Sequence, residues 1–281
     1  MSGNESRNQN QRATEFDEGR YLYCAVRADG DASIDVEGIE GGEVRIVEHE
    51  GIGAVVQPVD AMFDSDDLTQ VKRWLLAHQR VVDAAGEAFD TPVPFRFDTV
   101  IKGDDGRVEG WIDENGAQLD EALDELSGRW EYRIELRWDE AAVREGIAEG
   151  DEELAELEER IEGSSEGTGY LIEKQYDQRL AERLQARRDE LAGELYDRVA
   201  EHAAAVETAG DGGSTLLDAS GTNGVDDGLE TVVQLSVLAP GESEGPIGDV
   251  LEGFLEREGF DVNYTGPWPP YSHAPSIGGE E

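Results

Sequence analysis

The apolar positions of this chain alternate between short period-two runs and longer helical ones. Residues 21–27 (YLYCAVR) alternate and predict a strand, with Leu22, Cys24 and Val26 on one face. Two more strands, joined by a turn near Glu50 and Gly51, are expected over residues 43–59. Leu68, Val71, Leu75, Val82 and Phe89 form the apolar side of a helix over residues 67–89, with Asp66 placed to cap it. The proline-punctuated TPVPFRFDTVI returns to strand. A short helix follows over residues 115–126, burying Leu119, Leu123 and Leu126.

Gly128 marks a boundary. Beyond it RWEYRIELRW alternates, with Trp130, Tyr132, Ile134, Leu136 and Trp138 sharing a face. Residues 139–162 are acidic and helix-prone, and SSEGTG at 164–169 interrupts them. A long amphipathic helix over residues 170–209 carries Tyr176, Leu180, Leu184, Leu191, Leu195 and Val199. That spacing suits either a coiled coil or a helix lying on a sheet, and the nearby strands that need cover favour the sheet. STLLDAS reads as a weak strand, LETVVQLSVLA as a strand, residues 247–258 as a helix and FDVNYTG as the last strand. The fold class is therefore α+β with two domains. The second has the β-α-β-β-α-β order of a ferredoxin-like domain, with a long amphipathic helix and an inserted acidic segment. The expected organisation is a disordered polar arm (1–19), an N-terminal α+β domain (20–127), the ferredoxin-like domain (128–272) and a flexible tail (273–281).

Charge changes the picture of the surface. Of 281 residues, 66 are Asp or Glu and 23 are Lys or Arg, a net charge of -43. The excess is spread along the whole chain. Its self-repulsion acts over about 10 Å at 0.1 M salt but only about 3 Å at 1 M, so a salt-rich cytoplasm is the environment this surface suits. Such a surface disfavours nucleic acid, whose binding rests on neutralising phosphates. No apolar run reaches the length of a membrane span, so no lipid membrane is expected as a partner. The first 19 residues lack the apolar core of a secretion signal. Cys24 is the one cysteine, expected to be buried, and makes no internal disulfide.

The chemistry of a reaction centre is hard to find. With 66 carboxylates, neighbouring acids arise by chance, and DSDD at 64–67 reads as a solvated helix start. His49, His78, His202 and His273 form no metal-ligand spacing. His78 lies within a helix with no identifiable nucleophile or orienting group, which favours packing or hydrogen bonding over catalysis. GIGAVV lacks both nucleotide-loop patterns and reads as part of a hairpin. No catalytic residue, metal or cofactor is assigned. Two features stand out instead. Arg96, between Phe95 and Phe97, is turned away from them by alternation; an acidic partner is favoured for it over a partner protein. GPWPPYSHAP offers Trp268 and Tyr271 on a restrained backbone, suited to packing on its own domain or to a preformed contact surface.

YLYCAV, GIGAVVQPV, AHQRVVDAA, TPVPFRFDTV, GTGYLIEKQ and YTGPWPPYS occur in the order found in the gas vesicle accessory F/L proteins, and the chain resembles that family from Tyr21 to Ser272. His78 and Gln79 fall on the family's H-Q pair, Pro94–Phe97 on its P-x-R-F-like strand, and Gly266–Tyr271 on its closing segment. The resemblance implies two domains, a ferredoxin-like C-terminal one, and an assembly or scaffold role in gas vesicle formation, without catalytic residues. The implied partners are the major shell protein and other accessory proteins, in the cytoplasm and in association with vesicles. A stable minor component of the vesicle is the alternative, and an enzyme the remote one. His78, Gln79, Arg96, Trp268 and Tyr271 are the candidate structural or contact residues.

Overall fold

The computed structural model describes residues 15–28, 33–208 and 228–277. Residues 1–14 of the expected arm, the STLLDAS segment and residues 278–281 of the tail lie outside them. The fold is mixed α+β, and contacts divide it into two compact units. One gathers the described residues up to Glu131 together with those from Pro267 onward; the other spans Tyr132 to Gly266. Pro267–Ser272, which the pattern places in the second domain, thus pack with the first unit.

The first unit is a five-stranded sheet: β1 (Glu15–Arg27), β2 (Arg45–His49), β3 (Ile52–Ala61), β4 (Val93–Pro94) and β5 (Val100–Lys102), in the order β2-β3-β1-β4 with β5 also on β1. β1 begins at Glu15, six residues before the alternation, because its polar start pairs with β3 at Ala61 and with β5. The strict alternation expected of Leu22, Cys24 and Val26 fails at a bulge. Leu22 pairs with Val56 and Cys24 with Val55, which leaves Tyr23 unpaired against β3. Tyr21, Tyr23, Cys24 and Val26 consequently share one core cluster. Leu22 lies instead with Trp111, Val100 and Ile277 around a cavity of about 300 Å³. β1 is buried from Gly19 through Val26, which explains its continuous apolar character.

Two helices complete the unit. α1 (Leu68–Phe89) is capped by Asp67, whose side chain accepts from Thr69 N, one residue later than expected. Its inner face holds Trp74, Leu75, His78, Val81, Val82 and Ala85, while Leu68 points to solvent rather than to the core. α2 (Asp105–Leu126) is ten residues longer than its apolar pattern predicts, since Asp104 caps it and carries it through Gly106, Gly110 and Gly116. Between β4 and β5 the expected strand breaks into a turn at Asp98, whose φ is 68°. The β2–β3 turn is at Glu50 and Gly51, as expected, both at positive φ.

The second unit carries β6 (Arg129–Trp138), β7 (Ala205–Thr208), β8 (Glu230–Pro240) and β9 (Phe260–Trp268), ordered β7-β8-β6-β9. Tyr132, Ile134, Leu136 and Trp138 of β6 are buried, as the alternation requires. The acidic stretch forms two helices, α3 (Glu140–Gly150) and α4 (Glu152–Glu162). α5 (Glu166–Ala200) starts inside SSEGTG and ends nine residues earlier than expected; the chain then turns into β7. Its first half pairs with α4, and its second half lays Leu191, Leu195 and Val199 on the sheet side. Asp151 joins the hairpin: it caps α4 through Glu153 N and Leu154 N and accepts from Arg183 Nε at 2.6 Å. α6 (Glu244–Leu255) precedes β9.

Glycine at 38 is fixed by space. A Cβ there would overlap Gln57 Oε1 and lie 2.6 Å from Tyr23 Oη. Gln57 has no freedom to yield, because Tyr23 Oη donates to its Oε1 at 2.6 Å and its Nε2 donates to Ile39 O at 3.1 Å. Gly38→Ala should therefore cost about 1–3 kcal/mol. Gly116→Ala, within α2 with open space around it, should stabilise by about 0.5–1 kcal/mol. Urea unfolding midpoints in molar KCl compare the two.

Candidate interaction site

Motifs far apart in sequence meet in the first unit's core. Tyr21 from β1, His78 from α1, Phe97 from the β4–β5 turn and Tyr271 from the closing segment surround one another. The His78 ring centroid lies 5.7 Å from that of Tyr21, 6.1 Å from Phe97 and 6.2 Å from Tyr271. Hydrogen bonds tie this group together. Asp98 N donates to Tyr21 Oη at 3.1 Å, and the same phenol oxygen shares a hydrogen bond with His78 Nδ1 at 2.8 Å. The other ring nitrogen of His78, Nε2, is buried without a hydrogen-bond partner among the described residues.

Burial drives the ionisation of the whole cluster toward neutral forms. It pushes His78 down to about 4, against the opposing pull of the Phe95 backbone. The Tyr23 phenol is pushed up to about 12 by burial, and burial likewise raises Tyr21, Cys24 and Tyr271. A neutral, enclosed imidazole hydrogen-bonded to a phenol is a packing device, with no access for a substrate. Tyr271 has a half-buried ring whose hydroxyl is enclosed and unpaired among the described residues. Its neighbour Ser272 is held by Glu131, which accepts from Ser272 N at 2.8 Å and from Ser272 Oγ at 2.9 Å. Glu131 is fully buried, although it stands on the charged side of its alternating strand, so no sequence pattern singles it out.

The remaining candidates lie elsewhere. Gln79 Nε2 donates to Asp83 Oδ1 at 2.7 Å, one helical turn on. Arg96 is exposed, and among the described residues its guanidinium has no carboxylate partner; its carbonyl accepts from Thr99 Oγ1 at 2.6 Å. Trp268 is exposed at the end of β9. One cluster among the described residues places three ligand atoms within 4.8 Å of one another, on His49, Glu50 and Asp113. Its carboxylates are open to solvent and nothing further marks it as a cation site.

Two measurements test this assignment. Tyr271→Phe removes an unpaired enclosed hydroxyl and should leave stability unchanged or raised, whereas Tyr271→Ala should cost about 3 kcal/mol. An unfolded His78 protonates near pH 6.5 and the folded one near 4. Stability is thus fully present above the ordinary value and falls by about 3 kcal/mol as pH drops through that window. His78→Gln should remove this component from the pH dependence of urea unfolding at constant molar KCl.

Comparison with known proteins places these features in a family. The family described as Gas vesicle synthesis protein GvpL/GvpF matches residues 19–275. The chain is 41% identical over 262 residues to Gas vesicle protein L1 of Halobacterium salinarum, covering 92% of each chain. It is 34% identical over 291 residues to Gas vesicle protein L of Haloferax mediterranei, covering 93% of this chain and 89% of that one. The crystal structure of the gas vesicle protein GvpF from an Anabaena species superposes with a TM-score of 0.74 at 20% identity, over 92% of this chain and 99% of that one. That likeness extends the agreement to the fold. The chain belongs to the GvpL/GvpF family of gas vesicle synthesis proteins.

Proposed function

We propose that this protein is a noncovalent assembly scaffold for gas vesicles that contacts the major shell protein and other accessory proteins in the cytoplasm. Its accessory, non-catalytic character comes with the family, and the family match across residues 19–275 is the observation that carries the reading. The burial of His78 and the packing of half-buried Tyr271 against the same core agree with it, since these motif residues shape a core rather than line a reaction centre. No helix among the described residues is long and apolar enough to cross a membrane. The high net charge suits contacts made in concentrated salt, where apolar burial and close ion pairs outlast long-range attraction.

In this reading the two units act as separate domains. A ferredoxin-like second domain is supported by its strand, helices, strand, strand, helix, strand order. The sheet order β7-β8-β6-β9 agrees, setting the first strand between the third and the last. His78, Gln79 and Tyr271 serve as structural supports. Arg96 and Trp268, both exposed, serve as contact residues.

A clean deletion should abolish vesicles or deform them in the electron microscope, and expression of the full chain should restore them. Vesicles of normal number, size and shape in the deletion strain would overturn the scaffold reading. Chemical cross-linking in molar salt should join the full chain to the major shell protein, and cross-links confined to itself would remove that partner.

A further inference from the structure

The outer face of α1 departs from the rest of the chain in charge. Residues 68–82 contain no Asp or Glu, although 66 occur among 281 residues, and they include Lys72, Arg73 and Arg80. Among the described residues none of these three cations has a carboxylate partner. Elsewhere in the same unit Arg20, Arg27 and Arg45 each hold at least one. A chain so rich in carboxylates supplies partners readily, so three unpaired cations along one helix form a distinct surface. Each retains its full capacity for a carboxylate from another molecule.

Apolar exposure coincides with it. Leu68 is 72% exposed and Leu76 53% exposed. Lys72 stands midway between them, so that the three form one i, i+4, i+8 ridge. Beside the ridge runs an open groove of about 660 Å³ between α1 and the turn around Ile39–Gly41. Trp74 and Ala77 line it, with Leu76, Arg73 and Arg80 along its helical side and Glu37 and Glu40 along the opposite side. Its form is fixed: Trp74 Nε1 donates to Glu40 Oε1 at 3.0 Å, and Ile39 N donates to Tyr23 Oη at 3.0 Å. Arg73 and Arg80 are seven positions apart, which is about 10 Å along a helix at 1.5 Å per residue.

We infer that this face of α1 is a docking surface for an acidic amphipathic helix of a partner protein. Aliphatic side chains of the incoming helix meet Leu76 and the groove lined by Trp74 and Ala77. Carboxylates about two turns apart on its flank pair with Arg73 and Arg80, and a third reaches Lys72. On the α1 flank charge complementarity selects this occupant, while Glu40 on the opposite side is already engaged by Trp74 Nε1. A basic helix would leave the three cations unpaired and meet like charge, and a purely apolar one would desolvate them without compensation. Molar salt shortens electrostatic reach to about 3 Å, so the ion pairs act only on contact, once the apolar side chains have seated. The inference rests on the scaffold reading for its biological setting, but its test is independent of vesicle formation.

The probe is a fluorescein-labelled synthetic helix with leucines on one face and glutamates flanking them. Its lysine-for-glutamate counterpart and a scrambled isomer serve as comparisons, and each is titrated with the purified full chain in molar KCl by fluorescence anisotropy. The acidic helix should bind saturably and at least tenfold more tightly than either comparison. Leu76→Asp and the double variant Arg73→Glu/Arg80→Glu should each weaken it at least tenfold. Arg160→Glu, an exposed change in the second unit, should leave it as in the parent. Leu76→Asp is a surface change, and an unaltered urea midpoint confirms that the variant remains folded. No saturable binding up to millimolar peptide, equal binding of the lysine or scrambled helix, or undiminished binding by the α1 variants would overturn the inference. Peptide binding together with a deletion strain of normal vesicles would instead retain the surface and remove the scaffold reading.

Discussion

The first unit depends on one phenol. Tyr21 Oη accepts from the Asp98 amide and shares a hydrogen bond with His78 Nδ1, while Asp98 Oδ1 accepts from Phe63 N at 3.0 Å. Four stretches of chain are thereby fixed at one point: the central strand, the end of the strand beside it, the long helix and the turn between the two short strands. Tyr21 and His78 are buried, so the hydrogen bond between them replaces a desolvation cost of about 1–3 kcal/mol. The arrangement tolerates little substitution of polarity. Rigidity at this point holds α1 against the sheet, and with it whatever α1 displays.

Electrostatics in this protein operates at short range. Arg20 lies buried between Glu18 and Asp105, and Asp105 also accepts from Arg45. In the second unit Arg257 pairs with Glu194 while its guanidinium lies over Phe254, 4.4 Å from the ring centroid. Such pairs are shielded by their neighbours and persist when salt has screened the general field. The many unpaired carboxylates serve hydration instead. Charge thus has two separate tasks here, holding elements together at contact distance and keeping the remaining surface wet.

Much of this architecture is legible in the sequence, for identifiable reasons. The alternation of RWEYRIELRW and the spacing of Leu119, Leu123 and Leu126 record a face that is buried, and burial follows. Where one face is not the rule, the pattern misleads. Tyr23 is pushed out of register by a bulge, so Tyr21, Tyr23, Cys24 and Val26 join one core despite their odd and even positions. The first turns of α2 place Val108 and Ile112 on the same buried face as Leu119, but glycines at 106, 110 and 116 and the acids among them blur that stripe. β7 comprises four residues beyond the end of a long helix and has no periodicity of its own. For the candidate residues, the motifs name the right neighbourhood without its geometry. His78 and Tyr271 stand far apart in the chain and touch in the core, whereas Arg96 shares a motif with Phe95 and stays outside. Leu68 fits the apolar period of α1, and only its position at the helix start leaves it in solvent.

The closing segment has a bearing on how the protein is made. Tyr271 and Ser272 pack into the unit whose last helix ends at Leu126. A ribosome adding about 5–20 residues per second takes roughly seven to thirty seconds to pass from one to the other. Throughout that interval the nascent first unit has its sheet and both helices but lacks the aromatic ring that closes it beside His78, and buried Glu131 awaits the serine that it binds. The second unit is synthesised in the meantime. Synthesis of the closing segment, rather than completion of the first unit's own strands and helices, sets the moment at which that core becomes whole.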